Sequence, residues 1–416
     1  MKRRSVTFVV MAGGRGERLW PLVRSAKPKV CLSPDGTRTL LQATVDRLRP
    51  VWPGADWLIV TTQAHADAVR ESLPVSLRHS VLVEPQMKNT AACITLAAVA
   101  LAAHEPQEVM VVVPADHWIG DVPAFRRAVR AAIHAAVAHE TIATIGIRPT
   151  QPQLGLGYLC AGGALNGARR HGPSIPSTLA RLGRRPRSPS LGMSPQTNRG
   201  VVLSEPKDGV TGTPGLPGGL HQQPRLFRLA RFVEKPSRTL ARRLMRRPKT
   251  YWNSGIFVGT ADTFLECITE WLPEHTRRLV PLAVTLDHRR PGLNRRTFAH
   301  RAGRAYRALE AVSFDHGVMD HLRGGIVVEG DFPWADLGSW DAWARLGERT
   351  SPTIAVESEN VTVVGHDRHL VATIGVRDLL VVHTPSATLI CRPNKAQAVR
   401  DVVKRVSADP QLAPYR

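Results

Sequence analysis

Nothing in the 416-residue chain is apolar for long enough to span a membrane; no run approaches the roughly 20 residues a span needs. The start, MKRRSVTFVVMAGG, is basic and then apolar. Its apolar run is too short for a signal peptide and has no small-residue cleavage site. Cysteine is sparse: Cys31, Cys93, Cys160, Cys267 and Cys391 are scattered and never form CxxC. That argues against a disulfide framework and a zinc site and fits reduced thiols, so a cytoplasmic chain is expected. The sixteen histidines include no HExxH, and His134 and His139, five apart, have poor ligand spacing. Aromatics make up only 5%, with no stacking motif of an RNA-binding module. Acids are few beside cations, 34 against 56, for a net charge of +22. Such a chain attracts polyanions in low salt. The arginines are spread over many segments, including Arg242-Arg243, Arg277-Arg278 and Arg295-Arg296, so nucleic-acid binding is not the expected function.

What is present is a 43% hydrophobic composition and length for two or three domains. Strands are predicted at Val6–Met11, Trp57–Thr62, Ser80–Glu84, Glu108–Val113 and Thr141–Ile147. Helices are predicted between them at Leu40–Leu48, from Ala64, at Ala91–Ala103 with Asn89-Thr90 as cap, and at Ala124–His139. Apolar strands alternating with helices mean a mainly parallel sheet covered on both faces. From Leu165 to Arg228 the texture becomes Pro-, Gly-, Ser- and Arg-rich, with ten Lys and Arg against two acids; this reads as a mobile insertion. Order returns with LFRLARFVEKP, a helix at Thr239–Arg246, the strand-like YWNSGIFVG and a helix at Ala261–Leu272. After the linker PTIAVESENV come four short β runs and a closing helix, Lys395–Val406. The expected division is a catalytic domain over 1–350, interrupted at 165–228, and a β module with terminal helix over 351–416.

The most informative stretch is VVMAGGRGERLWPL, where the first strand would break into glycine. It is no dinucleotide fingerprint, because no third glycine follows Gly14-Arg15-Gly16. It is no P-loop, because GK followed by Ser or Thr is missing. Glycines at a strand end let backbone approach a nucleotide and offer N–H groups to phosphates. Arg18 and Lys29, the latter in Lys27-Pro28-Lys29, bring cations to the same anion.

This loop resembles the signature of nucleotide-sugar pyrophosphorylases, and Leu19-Trp20-Pro21-Leu22 looks most like the mannose-1-phosphate guanylyltransferases. Further landmarks follow in order. Glu84-Pro85-Gln86-Met87-Lys88-Asn89-Thr90-Ala91 resembles the segment associated with guanine, and Pro114-Ala115-Asp116-His117 a metal motif. Gly155-Leu156-Gly157-Tyr158, Phe232-Val233-Glu234-Lys235-Pro236 and Trp252-Asn253-Ser254-Gly255-Ile256-Phe257 resemble sugar-site motifs. Ser313-Phe314-Asp315 and Trp334-Ala335-Asp336-Leu337-Gly338-Ser339-Trp340 complete the series.

The resemblance implies a Rossmann-like α/β nucleotidyltransferase domain with a small C-terminal β module, a short β-helix being one form. It implies GMP transfer from GTP to mannose 1-phosphate with Mg²⁺. Catalysis would fall to Arg18, Lys29, Asp116 and Lys235, and the metal to Asp116 and Asp336. The nucleotide would meet Ala12, Gly13, Gly14, Gly16, Arg18, Lys29, Glu84, Asn89 and Thr90. The sugar phosphate would meet Gly157, Glu234, Lys235, Asn253 and Gly255. Departures touch selectivity: Val23 for Ser, Val30-Cys31 for Gln-Phe, Lys88 for Arg, Ala92 for Pro, and Leu156 and His316 for Tyr. Rival readings are a different nucleotide or hexose phosphate, and a silent sugar-nucleotide sensor. Guanylyltransferase activity without a further isomerase domain is expected, with a homodimer as a plausible assembly.

Overall fold

The computed structural model describes residues 4–14, 16–24, 28–34, 36–165, 223–286, 295–346, 352–365 and 369–415. The first half runs β1 (Val6–Met11), α1 (Leu40–Leu48), β2 (Asp56–Thr62), α2 (Ala66–Ser72), β3 (Val81–Glu84), α3 (Asn89–Ala102), β4 (Val109–Pro114), β5 (His117–Ile119), α4 (Val122–His139), β6 (Ala143–Ile147) and β7 (Tyr158–Ala164). It continues through β8 (Leu226–Val233), α5 (Arg238–Met245), β9 (Thr250–Thr260), α6 (Ala261–Trp271), α7 (Pro273–Leu279), α8 (Arg295–Arg307), β10 (Ile326–Gly330), β11 (Trp334–Asp336) and α9 (Trp340–Leu346). The last part is β12 (Thr353–Val356), β13 (Glu359–Gly365), β14 (Val371–Ile374), β15 (Arg377–His383), β16 (Thr388–Cys391) and α10 (Val399–Ala408).

Nine strands form one sheet in the order β3-β2-β1-β4-β9-β6-β10-β8-β7. β3, β2, β1 and β4 pair in parallel, as the strand–helix alternation predicts. The sheet as a whole is mixed, because β9 lies between β4 and β6 antiparallel to both and β8 reverses against β10 and β7. Side-chain alternation along β1 divides the core: Val6, Phe8 and Val10 pack with α1 and α4, while Val9 packs on the opposite face with α3 and α6. α3 is buried almost all round, which its run of alanines permits by letting neighbours come close. α1 begins with a capping box: Thr39 Oγ1 accepts from the Gln42 N–H at 3.1 Å, and the Thr39 N–H donates to Gln42 Oε1 at 2.9 Å.

Most of the stretch read as an insertion lies outside the described residues. Its two ends do not: the Leu165 N–H donates to the Leu226 carbonyl at 2.9 Å. Leu226, Phe227 and Arg228 already belong to β8, because burial of Phe227 and Leu229 on one face sets an alternating strand. The linker PTIAVESENV is also structured, containing β12 and the start of β13. β12 pairs with β14 and β13 with β15, both in parallel, with Thr353 opposite Val371 and Glu359 opposite Arg377, eighteen residues on in each case. This is a short β-helix, and α10 closes it. Its Val364, Leu380, Val382, Leu389, Val399 and Val406 share one apolar cluster with Leu19, Trp20, Leu22, Val23 and Trp340. The module is thus packed directly beneath the loop that follows β1. Among the described residues no helix is long and apolar enough to cross a membrane.

Candidate active site

β1 and β4 are neighbours, with Met11 opposite Pro114, so the loops after both strands leave the same carboxyl edge of the sheet. Ligands of open α/β sheets bind at this edge. The first loop carries Gly13 and Gly14, then a tight turn at Glu17–Leu19. The second carries Asp116 and enters β5. β5 pairs with β11 so that His117 lies opposite Asp336. This two-strand ribbon brings together carboxylates 220 residues apart in sequence, and the Leu337 N–H donates to the Asp116 carbonyl at 3.2 Å.

A cleft of about 670 Å³ opens here. It is lined by Gly13, Gly14, Arg18, Lys29, Glu84, Asn89, Thr90, Asp116 and Asp336 of the expected nucleotide and metal set. Gly157, Glu234, Lys235, Asn253 and Gly255, the expected sugar-phosphate set, line the same cleft. Two expected residues stand behind the wall. Ala12 is fully buried and its N–H donates to the Val60 carbonyl at 2.8 Å. Gly16 has φ +66°, and a Cβ there would lie 2.8 Å from the Lys29 Cβ, so this glycine lets Lys29 sit where it does.

Lys29 is 8% exposed and ion-paired with Asp116. Burial opposes its charge, but the Asp116 and Asp336 carboxylates outweigh burial and hold it protonated more firmly than usual. Burial works against the Asp116 charge too, and is overcome by Lys29 and His117, which keep that carboxyl below its ordinary range. Asp336 is pushed upward, by burial and then by the Asp116 charge beside it. Its Oδ1 is buried and has no hydrogen-bond partner among the described residues. Among the described residues no cluster of three or more His, Cys, Asp or Glu could hold a metal by itself.

Glu84 is 4% exposed. Burial raises its carboxyl to about 8, although the Tyr306 hydroxyl donates to its Oε1 at 3.0 Å. Asn89 and Thr90 do not cap α3 as expected. Asn89 sits at φ +65° and accepts from the Thr90 N–H at 2.9 Å. Thr90 Oγ1 accepts from the Phe314 N–H at 2.8 Å, tying α3 to the loop that carries Asp315. Lys88, the substitute for arginine, donates to the Leu309 carbonyl at 2.7 Å and does not line the cleft.

At the sugar end, Gly157 lies just before β7, and its carbonyl accepts from the Asn253 N–H at 2.8 Å. The Asn253 amide is largely committed within the protein. Its Oδ1 accepts from Thr144 Oγ1 and the Gly255 N–H, each at 3.2 Å, and its Nδ2 donates to Asp315 Oδ1 at 2.6 Å. One amide N–H remains for a ligand. Lys235, at φ +41°, donates to Glu234 Oε1 at 2.6 Å. Asp315 stands out in the sequence only as part of a motif; burial and then the Glu234 charge push it up to about 6. Gln397 and Arg400, from the C-terminal module, also line the cleft. No sequence motif signals them.

The nucleotidyl transferase family profile matches residues 7–169, spanning β1 to β7 and the glycine loop, so the fold is that of a nucleotidyltransferase. The profile of the MannoseP isomerase/GMP-like β-helix domain matches residues 351–406. Mannose-1-phosphate guanylyltransferase of Escherichia coli K12 is 32% identical over 96% of this chain and 73% of its own length. That of Salmonella typhimurium LT2 is 30% identical over 98% and 75%. A crystal structure from Thermus thermophilus, described as mannose-1-phosphate geranyltransferase, aligns with a TM-score of 0.71 at 29% identity, covering 97% of this chain and 99% of that one. The chain belongs to the mannose-1-phosphate guanylyltransferase family.

Proposed function

We propose that the chain transfers GMP from GTP to mannose 1-phosphate, forming GDP-mannose and pyrophosphate. The observation that carries this reading is the shared cleft in which Arg18, Lys29, Asp116 and Asp336 face Glu234, Lys235 and Asn253. A sugar-phosphate oxygen attacks the α-phosphorus in line. The bond from that phosphorus to the bridging oxygen breaks, and its electron pair leaves with pyrophosphate. Both reactants are polyanions, so positioning and charge stabilisation supply most of the rate and no covalent intermediate is required.

Gly13 and Gly14 admit the triphosphate close to backbone, and Arg18 and Lys29 steady charge as pyrophosphate departs. Lys235 takes the sugar phosphate. Glu234 and the remaining Asn253 N–H take sugar hydroxyls, with Asp315 orienting the Asn253 amide. Glu84 and Asn89 lie where the base would be read.

The donor set fits Mg²⁺. Two carboxylates converge, Asp336 Oδ1 has no hydrogen-bond partner among the described residues, and a cation binding one or two carboxylates completes its shell with phosphate oxygens and water. When bound, Mg²⁺ would supply charge neutralisation at the phosphates. Incubating the chain with GTP, mannose 1-phosphate and Mg²⁺ tests the reading. Mass spectrometry should detect GDP-mannose, and chelation should abolish it. Absence of the product with Mg²⁺ present would refute the proposal.

A further inference from the structure

Gln397 and Arg400 reach the cleft from the C-terminal module. Gln397 lies in the turn Pro393–Ala398, and Arg400 follows in the first turn of α10. Gln397 Oε1 accepts from Arg18 Nη1 at 3.5 Å, and its Nε2 donates to Asp341 Oδ1 at 3.2 Å. It therefore links the glycine loop to the start of α9. The module is held against that loop: Trp20 Nε1 donates to the Tyr415 carbonyl at 2.9 Å, and Trp340 Nε1 to the Trp20 carbonyl at 2.8 Å.

The charges around the cleft show what is missing. Its lining carboxylates are Glu84, Asp116, Glu234, Asp315 and Asp336; its lining Lys and Arg are Arg18, Lys29, Lys235 and Arg400. Lys29 is paired with Asp116, and Lys235 with Glu234. Arg18 lies close enough to Asp336 to lower the charge cost there. Arg400 has no carboxylate partner among the described residues. Among the described residues it is the lining cation with neither an ion pair nor a carboxylate that its charge supports. Its segment neighbour Gln397 holds Arg18, which places it at the phosphate end.

We infer that Arg400 binds the β- and γ-phosphates of the nucleotide, the part that leaves as pyrophosphate, and that Gln397 positions Arg18 for the same task. A guanidinium suits this role because its planar fork meets phosphate oxygens in pairs. The β-helix module thereby completes the phosphate site from below. This inference rests on the nucleotidyl-transfer reading above.

The test is the reverse reaction, GDP-mannose with pyrophosphate, in the full chain. Arg400→Ala should raise the KM for pyrophosphate about tenfold or more, the loss of one charged hydrogen-bonding group, and leave the KM for GDP-mannose near wild type. Arg400→Lys should recover part of that loss, and Gln397→Ala should lower kcat more than it changes the KM for GDP-mannose. Calorimetric binding of inorganic tripolyphosphate should weaken by a similar factor in Arg400→Ala at an unchanged melting temperature. A tripolyphosphate affinity and a pyrophosphate KM within twofold of wild type would overturn the assignment, as would equal losses for both reverse substrates. If wild type fails to consume GDP-mannose, the functional reading falls, and the tripolyphosphate comparison still decides Arg400.

Discussion

Gly157→Ala tests whether the sugar end of the cleft works as built. A Cβ at this position would sit 2.5 Å from Phe232 Cζ, 2.8 Å from Phe232 Cε2 and 2.8 Å from Glu234 Oε2. Carbon atoms prefer separations of about 3.5–4 Å, so something must give by about 1 Å. The Phe232 ring is 6% exposed and packed among Leu159, Phe227, Leu229 and Tyr251, so it yields little. The backbone at Gly157 is itself tied to Asn253. The remaining freedom belongs to the Glu234 carboxylate. Overpacking of this kind costs about 1–3 kcal/mol, a fall of roughly 2–6 °C in melting temperature. A 1 Å displacement of a substrate-holding group costs on the order of 10- to 100-fold in rate. Steady-state pyrophosphate release should therefore show kcat/KM for mannose 1-phosphate lowered by about that factor, while the KM for GTP stays within about twofold. Wild-type melting and kinetics would refute the packing argument, and equal losses for both substrates would refute the division of the cleft.

Other outcomes follow from the same geometry. Gly16→Ala forces a left-handed backbone costing about 1 kcal/mol or more and drives a methyl onto Lys29, so the KM for GTP should rise about tenfold in initial-rate assays; unchanged GTP kinetics would break the link between this glycine and Lys29. Trp340 is fully buried and its N–H holds the Trp20 carbonyl, so Trp340→Ala should cost about 3–5 kcal/mol in denaturant unfolding. Trp340→Phe, which keeps most of the apolar contact, should cost much less. Burial holds the Glu84 carboxyl protonated up to about 8 in the folded chain, whereas the unfolded chain releases that proton near the ordinary glutamate value. The folded state thus binds the extra proton, and stability falls as pH rises from about 4.5 to about 8. Glu84→Gln removes this penalty, so the melting temperature of the variant relative to wild type should climb between pH 5 and pH 9; a constant difference would show that Glu84 is already ionised at pH 7.

The elements carrying strong local signals were legible in the sequence. β1, α1 and β4 fall within a residue of their expected bounds because their apolar runs end at or close to glycine or proline. Antiparallel insertion of β9 into the sheet was not legible, since a buried strand reads alike in either direction. β12 reads as a linker because its Ile354 and Val356 face solvent and no buried stripe marks it. At the site, residues on recognisable motifs gathered in one cleft. The two exceptions have physical reasons: Ala12 and Gly16 shape the loop from behind. Asp315 draws attention only as part of a motif, and its bond to Asn253 spans 62 residues. Gln397 and Arg400 reach the cleft through tertiary packing of the β-helix under the glycine loop, which no local pattern encodes.

The most direct measurement is pyrophosphate release by the purified chain with Mg²⁺ and mannose 1-phosphate, taking GTP, ATP, UTP and CTP in turn, with Asp116→Ala alongside. The account predicts release with GTP well above the other three and its loss in the variant. Release that survives Asp116→Ala, or that favours another nucleotide, would contradict it.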